Sequence, residues 1–246
     1  MDRHHDAAEL LLSARRDPAQ RLRAFPEAVR PRTEEQAYLV QRAIIRQLGD
    51  IGGWKVGAAG AGFTCAPLPA SGVVESGAKI GCHDRGVEAE IAVRLGTSVP
   101  PREAPYAAED LFAAIASAHP AIEVLDSRFV NPDAVDPLSA LADGLSHRAL
   151  VVGPAIADWR RIDLASEGVA VIVDGTEVKR RTGNPAGDMM RLLLWLANTG
   201  ARWAGGLSAG QVVTTGSWTG KDFCPRGAEA LIRFDHCGEA SVRFAP

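Results

Sequence analysis

Two apolar runs that carry carboxylates constrain this chain more than any other feature. Residues 87–93 (VEAEIAV) and 120–126 (PAIEVLD) are rich in aliphatic and β-branched residues, which predicts two strands. Side chains two positions apart on a strand share a face, so Glu88 and Glu90 stand side by side. Two adjacent carboxylates on an apolar strand repel each other and are costly to desolvate. Either water or a cation must therefore cover that face.

Glu123 is the only carboxylate inside the second run before its end. If the two strands meet, Glu88, Glu90 and Glu123 form a three-carboxylate oxygen cage of the kind that Mg²⁺ or Mn²⁺ prefers. The alternative is a half-exposed strand whose polar face carries Glu88 and Glu90. The spacing alone leaves both interpretations open.

Composition excludes several classes of function. With 46% hydrophobic residues among 246, the chain can bury a sizeable core. A net charge of −3 without a basic run argues against nucleic acid as a partner. No apolar run approaches the roughly 20 residues of a membrane span, and the first residues lack a secretory signal. Four widely spaced cysteines without a C-x-x-C pair favour reduced thiols, so we expect a cytoplasmic protein.

The pattern of elements predicts an α+β fold, with an N-terminal helical region at residues 1–52 and a β-rich region at residues 53–246. Strands outnumber helices and do not alternate with them as βαβ units. Thr33 and Gln36 have the spacing of a capping box. The Asp174-Gly175 pair predicts a type I′ hairpin turn. Helices are predicted at residues 108–118 and 186–198, and a loop at residues 58–70, which are rich in Gly, Ala and Pro.

Lys55 lies between glycines in a short apolar strand, GWKVG at residues 53–57. One interpretation is an exposed strand lysine whose stem covers apolar surface. The other is a partly buried ammonium that pairs with a substrate carboxylate or with the three glutamates. Nucleotide-binding loops of the G-x-G-x-x-G and Walker types are absent from the sequence, which removes that class.

An ordered set of short motifs resembles the 2-keto-4-pentenoate hydratase / 4-oxalocrotonate decarboxylase branch of the fumarylacetoacetate hydrolase superfamily. The motifs are GWKVG at 53–57, EAEIA at 88–92, PAIEVLDSR at 120–128, GNP at 183–185, WLAN at 195–198 and TGSWT at 215–219. Each is weak alone, but their order and spacing are specific. The resemblance implies a rolled mixed β-sheet with an N-terminal helical region, and it implies that residues 53–246 form the catalytic, metal-binding domain. It also implies that Glu88, Glu90 and Glu123 bind Mg²⁺ or Mn²⁺ together with water and a small 2-oxo acid.

The resemblance also suggests roles for residues around the metal. Lys55 is the first candidate for acid–base catalysis or for anchoring the substrate carboxylate. Asp143 is the second, because it occupies the place of the aspartate in the family's Ala-Asp-Asn segment. Ser217 and Thr219 are candidate donors to the substrate carboxylate, although hydroxyls in Gly-rich turns also cap their own backbone.

Two basic residues complete the candidate set. Arg128 either contacts substrate or forms an ion pair with Asp126 behind the metal ligands. His147 is a conceivable acid–base group, but a lone histidine in a loop is more often solvated, and we predict that state for it.

The resemblance leaves several activities open. The first is a lyase of aromatic catabolism that adds water to 2-hydroxypenta-2,4-dienoate, and the second is a 4-oxalocrotonate-type decarboxylase. The third is an acylpyruvate carbon–carbon hydrolase, which needs a His-Glu pair that is not evident before Glu88. A weakly active partner subunit is the fourth, because decarboxylase and hydratase subunits of the family can associate. Gly144 in place of asparagine and a short loop after Gly57 motivate that alternative, and the bulky Trp218 is a further departure from the family pattern. The resemblance also implies a homo-oligomer.

Overall fold

A computed structural model of the chain describes residues 2–59, 62–185 and 187–246. The helices are α1 (Arg3–Arg16), α2 (Glu34–Leu48), α3 (Ala108–Ala114), α4 (Pro137–Ala142) and α5 (Met189–Trp195). The strands are β1 (Ile51–Ala59), β2 (Gly62–Pro69), β3 (Val73–Glu75), β4 (Ala78–Ile80), β5 (Gly86–Leu95), β6 (Ile115–Leu125), β7 (His147–Val152), β8 (Gly168–Val173), β9 (Thr176–Thr182), β10 (Val212–Thr214), β11 (Asp222–Phe223), β12 (Glu229–Phe234) and β13 (Glu239–Phe244). Within these ranges no helix is both long and apolar enough to cross a bilayer.

The strands form two mixed sheets, which confirms the predicted α+β class. The larger sheet has the order β2-β1-β10-β5-β6-β7-β3, with β11 added to β5. Its two end strands, β2 and β3, are joined by only the short turn Ala70–Gly72, so the sheet must roll until its ends meet. The smaller sheet has the order β4-β13-β12-β8-β9 and packs against the outside of the roll.

Strand alternation gives the rolled sheet a core-facing side and an inner side. On β5, Val87, Ala89 and Ile91 enter the main core between the two sheets. Glu88 and Glu90 have the opposite parity and point into the roll. Below them lies an apolar floor, a separate cluster of buried side chains: Leu68, Ala92, Ala121, Leu150, Val152 and Val212. The carboxylates therefore stand at one end of the roll's interior, above a dry layer.

The N-terminal helices pack on the end of the roll that holds the carboxylates. Residues of α1 and α2 share one buried cluster with Phe129, Leu141 and Ala142, which come from the β-rich part. The predicted Thr33 cap is confirmed, because its hydroxyl accepts the Gln36 N–H at 3.2 Å. This cluster contains residues from both predicted parts of the chain. The division between them at residue 52 stays a prediction.

Residues 58–70, predicted as a loop, instead form the end of β1 and all of β2. Ala58 pairs with Phe63 and Val56 with Cys65 in an antiparallel hairpin, whose tip, residues 60 and 61, lies outside the described residues. Small residues and prolines have low strand propensity, which concealed this strand in the sequence. Prolines are tolerated here because β2 is the last strand of the hydrogen-bonded order.

Two predicted helices have different bounds in the structure. The helix predicted at 108–118 ends at Ala114, and residues from Ile115 onward join β6. Pairing with β5, from Arg94 opposite Ser117 onward, outweighs the local helical pattern. The helix predicted at 186–198 begins at Met189 and ends in the π-helical turn Leu196–Gly200, while residue 186 lies outside the described part. The hairpin turn is confirmed, with φ of 47° at Asp174 and 80° at Gly175.

Candidate metal centre

The three glutamates come together at the end of the roll's interior. Glu88 on β5 is the direct partner of Glu123 on β6, and Glu90 follows on the same face. One oxygen atom from each carboxylate lies within 4.8 Å of the others. Glu90 and Glu123 are only 2% and 1% exposed. The half-exposed strand is therefore the wrong alternative, and the cluster is a candidate metal centre.

Lys55 reaches this cluster from β1. Its Nζ lies 2.6 Å from Glu123 Oε1 and 3.4 Å from the carbonyl oxygen of Leu145. Gly53 makes this placement possible, because a Cβ there would lie 2.3 Å from the Val212 carbonyl oxygen on the neighbouring β10. The Lys55 side chain is 12% exposed, which excludes the exposed-strand interpretation.

His147 also contacts Glu123, so the predicted solvated state of this histidine is wrong. Its ring is buried, and Nδ1 lies 2.9 Å from Glu123 Oε1. Strand β7 begins at His147 rather than at Ala149, and an irregularity in its pairing with β6 aligns His147 with Leu125. The available signal was the position of His147 directly before the apolar run at 149–152.

The two oxygens of Glu123 have different environments. Oε1 accepts hydrogen bonds from Lys55 and His147, whereas the buried Oε2 has no hydrogen-bond partner among the described residues. Leaving a buried acceptor unsatisfied costs about 1–3 kcal/mol. On Glu90, Oε2 accepts a hydrogen bond from Thr214, a residue that the sequence analysis missed. The free oxygen of Glu123 is therefore available to an ion.

The charges of the cluster shift the pKa values of its members in opposite directions. Burial, and then the charges of Glu123 and Glu88, raise the pKa of Glu90 well above its usual range. Burial and Glu123 also raise the pKa of Glu88. Burial would raise the pKa of Glu123 as well, but Lys55 and His147 lower it to about 2. Burial opposes the ammonium of Lys55, yet Glu123 and Glu88 outweigh burial and raise its pKa.

The donor set fits a hard divalent cation. Three carboxylates and one ammonium leave two negative charges, which one divalent cation neutralises. Oxygen ligands are those that Mg²⁺ and Mn²⁺ prefer, and Mg²⁺ binds them at about 2.1 Å. Two oxygens on one such ion lie at most about 4.2 Å apart. A small side-chain movement therefore suffices to bring all three ligands to one ion.

We expect the stabilisation by Mg²⁺ to increase as the pH rises above the usual titration range of a glutamate. A carboxyl whose pKa is raised in the folded state weakens the fold as the pH rises through that pKa, which is the case for Glu90. A cation removes this penalty, and at low pH protons compete with it for Glu88 and Glu90. Thermal unfolding with and without millimolar Mg²⁺ across this pH range measures the effect. A shift in Tm that does not change with pH would contradict it.

A cavity of about 300 Å³ adjoins the carboxylates. Its wall is mainly apolar on one side, where it includes Leu125, Phe129, Pro132 and Val135. Lys221 also lines it, and the Lys221 side chain is 46% exposed beside Asp133. The volume and the polar base suit a small organic acid rather than a polymer.

A left-handed run of three residues borders this cavity. Gly144, Leu145 and Ser146 have φ values of 64°, 57° and 66°. For residues other than glycine, this conformation costs about 1–2 kcal/mol. The run directs the Leu145 carbonyl toward Lys55, while the Ser146 carbonyl accepts the Asp126 N–H at 2.8 Å. The strain is therefore located beside the candidate site.

Asp143 and Arg128 pair with each other beside the cavity. The Arg128 guanidinium donates to the Asp143 carboxylate and to the carbonyl oxygens of Asp126 and His147, both at 2.7 Å. Burial raises the pKa of Asp143 despite this cation. The expected ion pair between Asp126 and Arg128 is wrong, because Asp126 Oδ1 accepts the N–H groups of His83 and Asp84 instead. Asp143 lines the cavity and Arg128 lies behind it.

Ser217 and Thr219 differ in their access to the cavity. The Thr219 hydroxyl accepts the Ala89 N–H of β5 at 3.1 Å and donates to the Gly220 carbonyl, so both of its contacts are with backbone groups. The Ser217 hydroxyl accepts the Gly220 N–H at 2.9 Å, lines the cavity and interacts with Glu88. Of the two, only Ser217 is placed to meet a ligand.

Comparison with known proteins gives a consistent result. Residues 65–243 match the model of the fumarylacetoacetate (FAA) hydrolase C-terminal family. The chain is 30% identical to a 4-oxalocrotonate decarboxylase of Pseudomonas putida over 178 residues, which cover 72% of this chain and 65% of that protein. It is 35% identical to a 2-keto-4-pentenoate hydratase of Burkholderia vietnamiensis over 132 residues, which cover 53% of this chain and 49% of that protein.

A solved structure extends the likeness to the N-terminal helices. The 4-oxalocrotonate decarboxylase from Pseudomonas putida G7, complexed with magnesium and adipate, superposes with a TM-score of 0.84 at 25% identity. The match covers 98% of this chain and 97% of that one. In sequence, the matched segments span about half to two thirds of the curated relatives. The chain belongs to the fumarylacetoacetate hydrolase family.

Proposed function

We propose that this protein is a divalent-metal-dependent lyase that adds water to 2-hydroxypenta-2,4-dienoate or a close 2-oxo acid. The observation that carries the proposal is the convergence of Glu88, Glu90 and Glu123 at the base of a cavity sized for such an acid, with Lys55 beside them. Mg²⁺ or Mn²⁺ is the cation that this oxygen donor set favours.

The chain's own side chains supply binding, orientation and protons. When bound, a divalent cation stabilises negative charge on the substrate's 2-oxygen and so favours the enolate. Lys55 lies beside Glu123 and lines the cavity, so its ammonium is placed to anchor the substrate carboxylate or to donate a proton. Phe129 and Val135 on the cavity wall exclude bulk water from the substrate's carbon chain.

The proposed reaction has two steps. A proton is added at carbon 5 of the dienol and the 2-hydroxyl loses its proton, so the dienol becomes an enone with a 2-oxo group. Water then adds across the remaining carbon–carbon double bond, with the hydroxyl on carbon 4 and the proton on carbon 3. Positioned proton transfer contributes typically about 10²–10⁴ to the rate of such steps.

Hydration has a direct optical test. Purified protein with Mg²⁺ and 2-hydroxypenta-2,4-dienoate should remove the dienol absorbance and form 4-hydroxy-2-oxopentanoate. Chelation of the metal should stop the loss, and added Mg²⁺ should restore it. Absorbance that persists with metal present would contradict the hydratase proposal.

Decarboxylation is the second candidate, supported by the likeness along almost the whole chain to a decarboxylase complexed with the diacid adipate. The cavity also holds a second cation, Lys221, that could pair with a second carboxylate. Release of CO₂ from 2-oxohex-3-enedioate, without loss of the monoacid dienol, would favour this activity. Inactivity toward both acids would contradict the lyase proposal and favour a partner subunit.

A further inference from the structure

We propose that His147 is a positioning residue that fixes the orientation of Glu123, so that Oε2 of this carboxylate faces the cation. The inference rests on the proposed metal site. It concerns how this chain holds one ligand, and it does not depend on which acid the protein converts.

The first argument is the saturation of Glu123 Oε1. A carboxylate oxygen offers about two lone-pair sites, and Lys55 and His147 occupy those of Oε1 at 2.6 and 2.9 Å. Oε2 is buried and has no hydrogen-bond partner among the described residues. Rotation of the carboxylate would break two hydrogen bonds, so the pair of donors selects Oε2 for the ion.

The second argument is that His147 serves Glu123 and nothing else in the site. The ring does not line the 300 Å³ cavity, so substrate cannot reach it. Lys55 does line that cavity, and a bound carboxylate would compete for its ammonium. His147 is therefore the donor that continues to hold Glu123 while substrate is bound.

The third argument is that the histidine is itself held firmly. Its carbonyl oxygen accepts hydrogen bonds from Arg128 at 2.7 Å and from Arg15 of α1 at 3.2 Å. Because Glu123 Oε1 can only accept, Nδ1 carries the proton in this arrangement. The ring also borders a cavity of about 50 Å³ beneath α1 and α2, where Nε2 has no partner among the described residues. This volume can hold a water molecule for Nε2.

Two substitutions, by side chains that are nearly isosteric with each other, test the positioning role of His147. In His147→Asn the amide nitrogen occupies the place of Nδ1 and can donate to Glu123, whereas in His147→Leu a methyl group occupies that place. We measure Mn²⁺ affinity by electron paramagnetic resonance in the absence of substrate. The Leu variant should bind Mn²⁺ about 10–100-fold more weakly than wild type, and the Asn variant should recover most of that loss.

Further measurements separate positioning from general damage. His147→Gln, whose amide reaches past the Nδ1 position, should behave like the Leu variant, and His5→Ala on the exposed face of α1 should match wild type. If the Leu variant does not fold, the Mn²⁺ affinities of His147→Asn and His147→Gln give the same comparison. With Mn²⁺ saturating, kcat should be reduced more in the Leu variant than in the Asn variant.

The possible failures are distinguishable. Equal Mn²⁺ affinity in wild type and the Leu variant, or equally weak binding in the Asn and Leu variants, would overturn the role of His147 while the metal site stands. Absence of Mn²⁺ binding by wild type would remove the metal site itself, and the inference with it.

Discussion

In a Glu123→Gln variant, Mn²⁺ binding is expected to fall by more than about 100-fold, and turnover should fall to background. Lys55 and His147 both donate to the Oε1 position, so they select the amide oxygen there and turn the amide NH₂ group toward the cation. An NH₂ group is not a metal ligand, and one negative charge is also lost. Calorimetric titration of the metal-free variant with Mn²⁺ measures the change.

The control is Glu103→Gln, which removes one carboxylate from an exposed loop. This variant should titrate as wild type does. Circular dichroism of the metal-free Glu123 variant should remain native, because Glu88 and Glu90 still balance the charge of Lys55. Unchanged Mn²⁺ affinity in Glu123→Gln would contradict the metal site.

A Lys55→Met variant should separate the two properties. Metal binding should be kept, whereas turnover should fall by about 10²–10⁴. Loss of the ammonium leaves the three carboxylates more negative, so affinity for a divalent cation should be retained or increased. The metal-free protein should lose stability at neutral pH, by about 3–5 kcal/mol, because Glu123 loses its buried partner. Saturating Mg²⁺ should recover much of this loss.

Lys79→Met is the matched control, since Lys79 is an exposed lysine on β4 of the smaller sheet. It should leave Tm, metal affinity and turnover unchanged. Full turnover in Lys55→Met would mean that this ammonium neither anchors substrate nor donates a proton. Loss of metal binding in the same variant would mean that Lys55 organises the ligands instead.

That Glu88 and Glu90 share one face was predictable because local alternation determines which face of a strand a side chain occupies. Glu123 stands in a second apolar run, and its place in the carboxylate cluster followed from the family resemblance rather than from the spacing. The α+β class followed from the same patterns. What the patterns could not give was the partner of each strand, because pairing depends on residues far apart in sequence.

The missed features are those that depend on long-range contacts. Strand β2 contains two prolines and several small residues, so its pairing with β1 is what identifies it as a strand. Thr214 was missed because its contact with Glu90 depends on the position of β10. This strand lies between β5 and β1, the strand that carries Lys55. His147 and the Asp143–Arg128 pair flank residues 144–146, which have a left-handed backbone conformation. Leucine and serine rarely adopt this conformation, so the sequence does not predict it.

The apolar floor of the roll has a consequence for how substrate enters the cavity and how product leaves it. Ala92, Ala121 and Leu150 pack directly behind the carboxylates and close the inner end of the roll among the described residues. Under the proposed function, an acid that enters beside the exposed Lys221 would leave on that same side. Each turnover thus waits for the previous molecule to leave, and product should act as a competitive inhibitor of the next substrate.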